Sequence, residues 1–513
     1  MVSGGNAATY FVDRHIGEGR GTKIAFREAA GAKRALSYAD FALETDRVVS
    51  ALARAGLRRE ERVALLVLDQ IEFPILFWGC LKAGVIPIPL NTLLAAPVYD
   101  VILRDSRAAG LFVSQELLAT VEPALAGNPN LRKTIVIGGE AAGYESYAHF
   151  MEGAAPGSTV DAHEDEIAFW LYSSGSTGKP KGVRHVHAAL KATADTYGAQ
   201  VLGIRESDTV YSVAKLFFAY GLGNAMTFPL SVGAMTILFN GRPTPDSTLS
   251  IIESEKPSIF CGVPTLYAAT VAQLEANGGP KSNPLRLCIS AGEALPEQIG
   301  RKWHDLWHVD ILDGVGSTEM LHIFLSNRPG DVVYGTSGIA VPGYDVRLVD
   351  ESGVDVGDGE VGELLVKGAS ASEGYWNQRD KTRSTFEGKW TRTGDKYERV
   401  EGGRFVYCGR TDDMFKVSGI WVSPFEIEQA LVAHPAVLEA AVVAAHDEEG
   451  LEKPKAFIVL KNGEDAEKVA PALKEFVKER VGKWKYPRWI EVRESLPKTA
   501  TGKIQRFKLR DEA

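Results

Sequence analysis

Apolar residues recur at helical spacing in 36–57, LSYADFALETDRVVSALARAGL, where Phe41, Val48, Leu52 and Ala55 fall on one face. Ser37 is placed to cap that helix and Gly56 to stop it. The pattern then changes period. Residues 62–68, RVALLVL, form a short, continuously apolar strand. A helix through Gly84, the strand VIPIPL, a helix around 99–106 and the strand GLFVS follow. This alternation predicts parallel sheets covered by helices on both faces. The runs TIVIG, AMTILF, LRLCIS and VDILDG extend it to about residue 315.

After Met320 the pattern changes again. Residues 334–407 are dense in glycine and in short alternating runs (YDVRLVD, GELLVKG, GRFVYCG), which predict antiparallel strands and a small β-barrel. Beyond GRTDD, 409–413, comes a unit of about 100 residues with helix, strand, strand and helix in turn, an α+β arrangement. The expected fold is therefore α/β, with a large N-terminal domain over 1–411. That domain holds parallel-sheet subdomains in 1–330 and a β-rich subdomain in 331–411. A small α+β domain follows over 412–513.

Composition narrows the function. A net charge of −9 argues against nucleic acid as the main partner. The N-terminal segment lacks the apolar core of a secretory signal. The most apolar stretch, 73–90, is broken by Lys82, two glycines and three prolines, so no membrane span is expected and the cytoplasm is the expected compartment. Four scattered cysteines show no metal-ligand spacing and read as buried thiols. One region departs from the acidic average. Residues 471–510 carry twelve Lys or Arg against four Asp or Glu, a field suited to a polyanion or equally a solvated face.

Four clusters carry candidate chemistry. In 172–183, YSSGSTGKPKGV, the amides of Gly175 and Gly178 and the hydroxyls of Ser173, Ser174, Ser176 and Thr177 could surround phosphate, with Lys179 or Lys181 adding charge. The spacing fails the Walker A pattern, and a plain polar turn fits as well. In LDGVGSTEM, 312–320, Thr318 could donate to a phosphate while Glu319 suits a hydrated Mg²⁺; STE also reads as a helix start. Asp395 could accept from a sugar diol with Arg410 reinforcing it, or both could end hairpins. Lys503, on a Gly-flanked loop, could meet a developing negative charge or be an inert surface lysine.

Order decides among these alternatives. SSGSTGKPKG, SAGEALP, GSTE, TGD, GRTDDMFKVSG with VSPFEIE, and PKTATGK together resemble the adenylate-forming superfamily of acyl- and aryl-CoA synthetases over about 165–506. The resemblance implies ATP, Mg²⁺ and coenzyme A, with a carboxylate activated as an acyl adenylate before thioester formation. It implies that Ser174, Gly175, Ser176, Thr177, Gly178 and Lys181 hold the leaving pyrophosphate, with Ser173 also binding ATP. Gly292, Glu293 and Ala294 would run along adenine, and Asp313, Gly314, Val315, Gly316 and Ser317 would also bind the nucleotide. Thr318 would serve the α-phosphate, Glu319 Mg²⁺, and Asp395 with Arg410 the ribose. Asp412 would be a hinge about which the small domain rotates, Lys503 the lysine of the first half-reaction, and Lys416, Ser418, Gly419 and Trp421 the CoA tunnel. Many relatives stack an aromatic residue on adenine where this chain has Val315.

The stretches AKLFFAYGLGN, 214–224, and EMLHIFLSN, 319–327, resemble ligases acting on benzoate and 4-hydroxybenzoate. The resemblance implies that Ala219, Tyr220, Gly316, His322 and Ile323 wrap a flat aromatic carboxylate, with Lys215 as a charge partner. Read alone, Phe217, Phe218 and Tyr220 are equally a core patch and His322 a buried histidine. A buried para-hydroxyl would need a partner, at a cost of ~1–3 kcal/mol if unpaired. The apolar Leu321 and Ile323 lean toward benzoate. A separate adenylation domain loading a carrier protein is the reading of another class. The resemblance leaves a homodimer open, and Lys503 is a candidate for acylation, which would remove its charge.

Overall fold

Ser37 caps the helix Tyr38–Arg54, its hydroxyl oxygen accepting from the Asp40 amide at 3.1 Å. Phe41, Val48 and Leu52 are buried along it, and Ala55 falls at its C-cap. The computed structural model describes the chain apart from residues 1–4, 175–178, 418–419, 449, 462–463, 465, 483–484 and 499–503. It divides into two compact units, Met1–Val346 with Val366–Thr391, and Arg347–Leu365 with Arg392–Ala513.

The alternation of helix and strand builds two sheets in the first unit. The five-stranded sheet runs Ile86–Pro89, Arg62–Leu66, Gly110–Ser114, Lys133–Ile137, Glu145–Ser146, parallel throughout. Leu66, Ile88, Leu111 and Val113 pack beneath the helix Ala96–Ser106 through Tyr99 and Ile102. The nine-stranded sheet runs Ile339–Ala340, Ile323–Ser326, Ile311–Gly316, Leu287–Ser290, Ile259–Gly262, Thr209–Ser212, Met235–Leu238, Ile24–Glu28, Ala35–Ser37. Its central pairs are parallel and its margins antiparallel. Trp303 and Trp307 stack at 5.2 Å on the helix Glu297–Trp307 and fill the core against Phe260 and Tyr267.

The apolar stretch 73–90 resolves into the helix Glu72–Ala83, a left-handed cap at Gly84 and the strand Ile86–Pro89. Lys82 is fully buried there, its ammonium 2.5 Å from Asp13 and 2.6 Å from Asp46. Charge pairing makes that burial affordable for the fold. No helix among the described residues is long and apolar enough to cross a membrane. Cys80, Cys261 and Cys288 are buried free thiols and Cys408 is half-buried.

The glycine-rich segment gives a five-stranded sheet in which Trp390–Val400 pairs antiparallel with Phe386–Glu387 and with Arg404–Arg410. Among the described residues its strands are ordered Asp345–Val349, Val361–Lys367, Trp390–Val400, Phe386–Glu387. Within the second unit the helix Pro424–Val432 starts at Ser423, whose hydroxyl accepts from the Glu426 amide. It packs with the helix Ala466–Val481 against a three-stranded sheet, Val437–His446, Glu452–Leu460, Trp489–Val492.

Candidate functional site

In open α/β sheets, ligand sites form outside the carboxyl ends of the strands. The nine-stranded sheet brings three predicted segments to that edge. Register sets Ser212 beside Cys261, Cys261 beside Ile289, and Ser290 beside Asp313. Thus 213–220, Gly262, 291–294 and 313–319 emerge from neighbouring strands. Gly292, at φ +96°, and Glu293 are exposed in the loop after Leu287–Ser290.

The next strand, Ile311–Gly316, ends in a tight turn. Met320 N donates to Ser317 Oγ at 3.2 Å and Leu321 N to Thr318 O at 3.2 Å, with Leu321 at φ +65°. The helix-start alternative for STE is thereby excluded. Gly314 and Gly316 have no room for a side chain. A Cβ on Gly316 would lie 2.5 Å from the His322 carbonyl oxygen, and one on Gly314 would lie 2.8 Å from that of Leu325. Val315 is half-buried on the same strand, between Gly314 and Gly316. Asp313 is buried, and burial pushes its carboxyl up to about 8. Its Oδ2 accepts from Leu295 N at 3.3 Å, while Oδ1 has no hydrogen-bond partner among the described residues.

Glu319 is held from two sides. The Tyr375 hydroxyl donates to its Oε1 at 2.8 Å, and its carbonyl accepts from Ser372 N at 2.8 Å. Tyr375 gave no signal in the sequence, because a tyrosine after a glycine belongs to no pattern of charge or spacing considered there. Two paired strands flank the glycine-hydroxyl segment in sequence. Ile167–Ser174 pairs antiparallel with Pro180–Val186, setting Ser173 opposite Lys181 and Ser174 opposite Pro180. Ser173 Oγ is buried with no hydrogen-bond partner among the described residues, and Lys179 is exposed. Lys181 Nζ sits 4.7 Å from the centre of the Tyr375 ring. Gly175, Ser176, Thr177 and Gly178 lie outside the described residues, as do Ser418, Gly419 and Lys503.

The aromatic cluster assembles around His322. Its ring centre is 5.2 Å from that of Tyr197, 5.9 Å from Tyr220 and 4.6 Å from Phe228. Burial lowers its pKa to about 3, so the ring is neutral. Nε2 lies 3.3 Å from the Tyr220 carbonyl; donating there leaves Nδ1 as an acceptor, and Nδ1 is buried with no partner among the described residues. The Tyr220 hydroxyl faces the carbonyls of Gly262 and Ile289, each at 3.1 Å, which ties its helix to two strand ends. Ala219 opens that helix, Ala219–Leu222, and Ile323 pairs with Gly316 across the turn. Lys215 is committed to the protein. Its ammonium donates to the carbonyls of Phe239 and Gly241 and lies 4.0 Å from Asp69, and burial lowers its pKa.

The second unit holds the remaining predicted residues. Asp395 and Arg410 face each other across the hairpin, with Arg410 Nη1 donating to Asp395 Oδ1 at 2.9 Å and to Thr393 O at 3.0 Å. Asp412 lies in the turn after Arg404–Arg410, and its carbonyl accepts from Arg510. Lys416 and Trp421 are register partners of the hairpin Phe415–Val417 and Ile420–Val422. Much of the local cationic excess is paired: Lys485 with Glu426, Lys498 with Glu439, Arg506 with Glu428 and Arg510 with Asp413.

Residues 13–376 match the model of the AMP-binding enzyme family, and 426–503 match the AMP-binding enzyme C-terminal domain. The chain belongs to the AMP-binding enzyme family. Among curated relatives, a 4-hydroxybenzoate–CoA/benzoate–CoA ligase of Rhodopseudomonas palustris is 52% identical over 512 residues, covering 99% of this chain and 94% of its own. A benzoate–CoA ligase of Thauera aromatica is 52% identical over 511 residues, covering 98% and 95%. Among solved structures, an anthranilate CoA ligase in complex with anthranoyl-AMP superposes with a TM-score of 0.94 at 42% identity, covering 100% of this chain and 98% of that one.

Proposed function

We propose that this member of the family is an ATP-dependent aryl-CoA ligase acting on benzoate, forming benzoyl-CoA, AMP and pyrophosphate. The observation that carries the reading is the near full-length 52% identity to two ligases whose names share benzoate. A carboxylate oxygen attacks the α-phosphorus of ATP, and the bond to the bridging oxygen of pyrophosphate breaks. The CoA thiol then attacks the acyl carbon, loses its proton, and AMP leaves with the C–O bonding electrons. Carboxylate and triphosphate repel, so catalysis rests on positioning and charge compensation.

In this reading the hairpin 173–181 receives the leaving pyrophosphate, with Lys181 as cation, and the buried Ser173 hydroxyl is suited to such an acceptor. Asp313, protonated at neutral pH, offers one donor and one acceptor, which matches the N1 and N6 edge of adenine. Gly292 to Ala294 and 314–317 flank the nucleotide, Thr318 donates to the α-phosphate, and Asp395 with Arg410 takes the ribose. Among the described residues no three His, Cys, Asp or Glu gather. A carboxylate such as Glu319 suits Mg²⁺ that keeps waters and phosphate oxygens. When bound, that cation neutralises phosphate charge. Lys503 is assigned to adenylation, Asp412 to the hinge, and Lys416, Ser418, Gly419 and Trp421 to CoA.

Ala219, Tyr220, Gly316, His322 and Ile323 form the aryl pocket in this reading. Lys215 then acts through its bonds to Phe239 and Gly241, fixing the pocket's wall rather than meeting the acid. One observation keeps 4-hydroxybenzoate as a second reading: the unpartnered His322 Nδ1 could accept from a phenol. The test is acid-dependent exchange of pyrophosphate into ATP with benzoate, hydroxybenzoates and medium-chain acids, then AMP release with and without CoA. Benzoate is expected to support exchange, and CoA to trigger steady AMP release. Exchange only with medium-chain acids would refute the aryl reading, and turnover with a phosphopantetheine carrier but not CoA would refute the ligase.

A further inference from the structure

The segment 372–376, SEGYW, touches both halves of the phosphate-facing machinery within the first unit. On one side it extends the hairpin. Tyr375 bridges Val183, Glu373 N donates to Arg184 O at 2.9 Å, and Trp376 N donates to Gly182 O at 2.8 Å. On the other side Ser372 N donates to Glu319 O, and Ser370 Oγ donates to Met320 O at 2.7 Å. Tyr375 stands where these attachments meet. Its hydroxyl reaches Glu319 Oε1, its ring face carries the Lys181 ammonium, and it is 5% exposed. Its backbone is pinned by Thr382, whose Oγ1 accepts from Tyr375 N at 3.0 Å.

We infer that Tyr375 is a positioning residue that sets the Glu319 carboxylate and the Lys181 ammonium against each other through a single rigid side chain. A glutamate on its own samples many rotamers. One hydrogen bond from a buried hydroxyl fixes the carboxylate plane and leaves its remaining lone pairs for a cation. A lysine is likewise mobile, and the ring face favours its ammonium at one location. The two groups come from chain segments 138 residues apart, so a shared contact is the economical way to hold them in register. This inference rests on the proposed roles of Glu319 and Lys181.

The test is Tyr375→Phe, which keeps the ring and removes the donor. Binding of Mn²⁺ in the presence of ATP, followed by electron paramagnetic resonance, reads the carboxylate without requiring turnover. Its dissociation constant is expected to rise ~10–100-fold, the usual cost of losing a hydrogen bond behind a metal ligand. In pyrophosphate exchange the half-saturating Mg²⁺ should rise in parallel, with the maximal rate recovered at high Mg²⁺. The same change in a Glu319→Gln background should add nothing, since the two residues act as one unit. Unchanged metal binding, or an equal further loss in the Glu319→Gln background, would overturn the inference. If wild type binds Mn²⁺ with ATP yet no aromatic acid supports exchange, the ligase reading fails while the binding comparison still decides the role of Tyr375. Should Tyr375→Phe not fold, Thr382→Val, which loosens the backbone behind the tyrosine, is expected to raise the same constant, and no rise would count against it.

Discussion

At Asp313 the surroundings reverse the usual state of a carboxyl. The side chain lies within the strand Ile311–Gly316, takes an amide hydrogen bond and leaves an oxygen buried without a partner among the described residues, and burial raises its pKa to about 8. A carboxyl whose folded pKa exceeds its unfolded value stabilises the fold at low pH, and that stabilisation is lost as pH rises from about 4 toward about 8. Asp313→Asn should therefore match wild type more closely at pH 5 and exceed it in Tm at pH 8.5, by less per kcal/mol than the roughly 2–4 °C typical of 150–250 residues. Thermal unfolding followed by circular dichroism across that range checks it; a constant difference would show that Asp313 does not titrate there. His322 follows the same logic with the opposite sign, since burial removes its charge. Neither property is visible in the letters LDGVGSTEM or EMLHIFLSN, because each depends on which atoms are absent nearby.

The same turn explains why an element can be more demanding than any one of its residues. The strand Ile311–Gly316 turns back onto Ile323–Ser326 with a register shift between Val315 and Gly316. That return brings the His322 carbonyl to where a Gly316 side chain would sit. Gly316→Ala should cost about 1–3 kcal/mol, as overpacking does, and displace Thr318 and Glu319 with the backbone. Loss of midpoint stability in urea together with loss of pyrophosphate exchange is expected; unchanged exchange would show that the turn tolerates the methyl group. Helix caps, by contrast, could be read from the sequence. Ser37 sits where its motif placed it, because a cap is a contact between a side chain and an amide three residues away. The segment 372–376 could not be read, since its partners lie on a strand and in a turn far from it along the chain.

Across the whole molecule, four buried histidines concentrate in the first unit. His15 and His187 are lowered to about 4, and His185 and His322 to about 3, each chiefly by burial. A base with a depressed folded pKa contributes stability above its unfolded pKa near 6.5, and that contribution fades as pH falls toward the folded value. Unfolding near pH 5 should take up as many as four protons from this group, a slope of up to roughly 5 kcal/mol per pH unit. Calorimetry between pH 7 and 4.5 should show the larger unit losing stability steeply on acidification. A profile that stays flat to pH 4.5 would mean the histidines protonate without unfolding.

By itself the sequence determined the alternation of strands and helices, the order of the motifs and hence the family, because periodicity, caps and glycine-hydroxyl loops act over a few residues. It also separated a glycine-rich β segment from the parallel sheets. Tertiary structure decided the rest. Only strand register brings 213–220, 291–294 and 313–319 to one sheet edge. Packing alone turns STE into a tight turn, commits Lys215 to backbone carbonyls and gives Glu319 its tyrosine. Those outcomes depend on burial and on partners distant in the chain, which no local pattern of residues encodes.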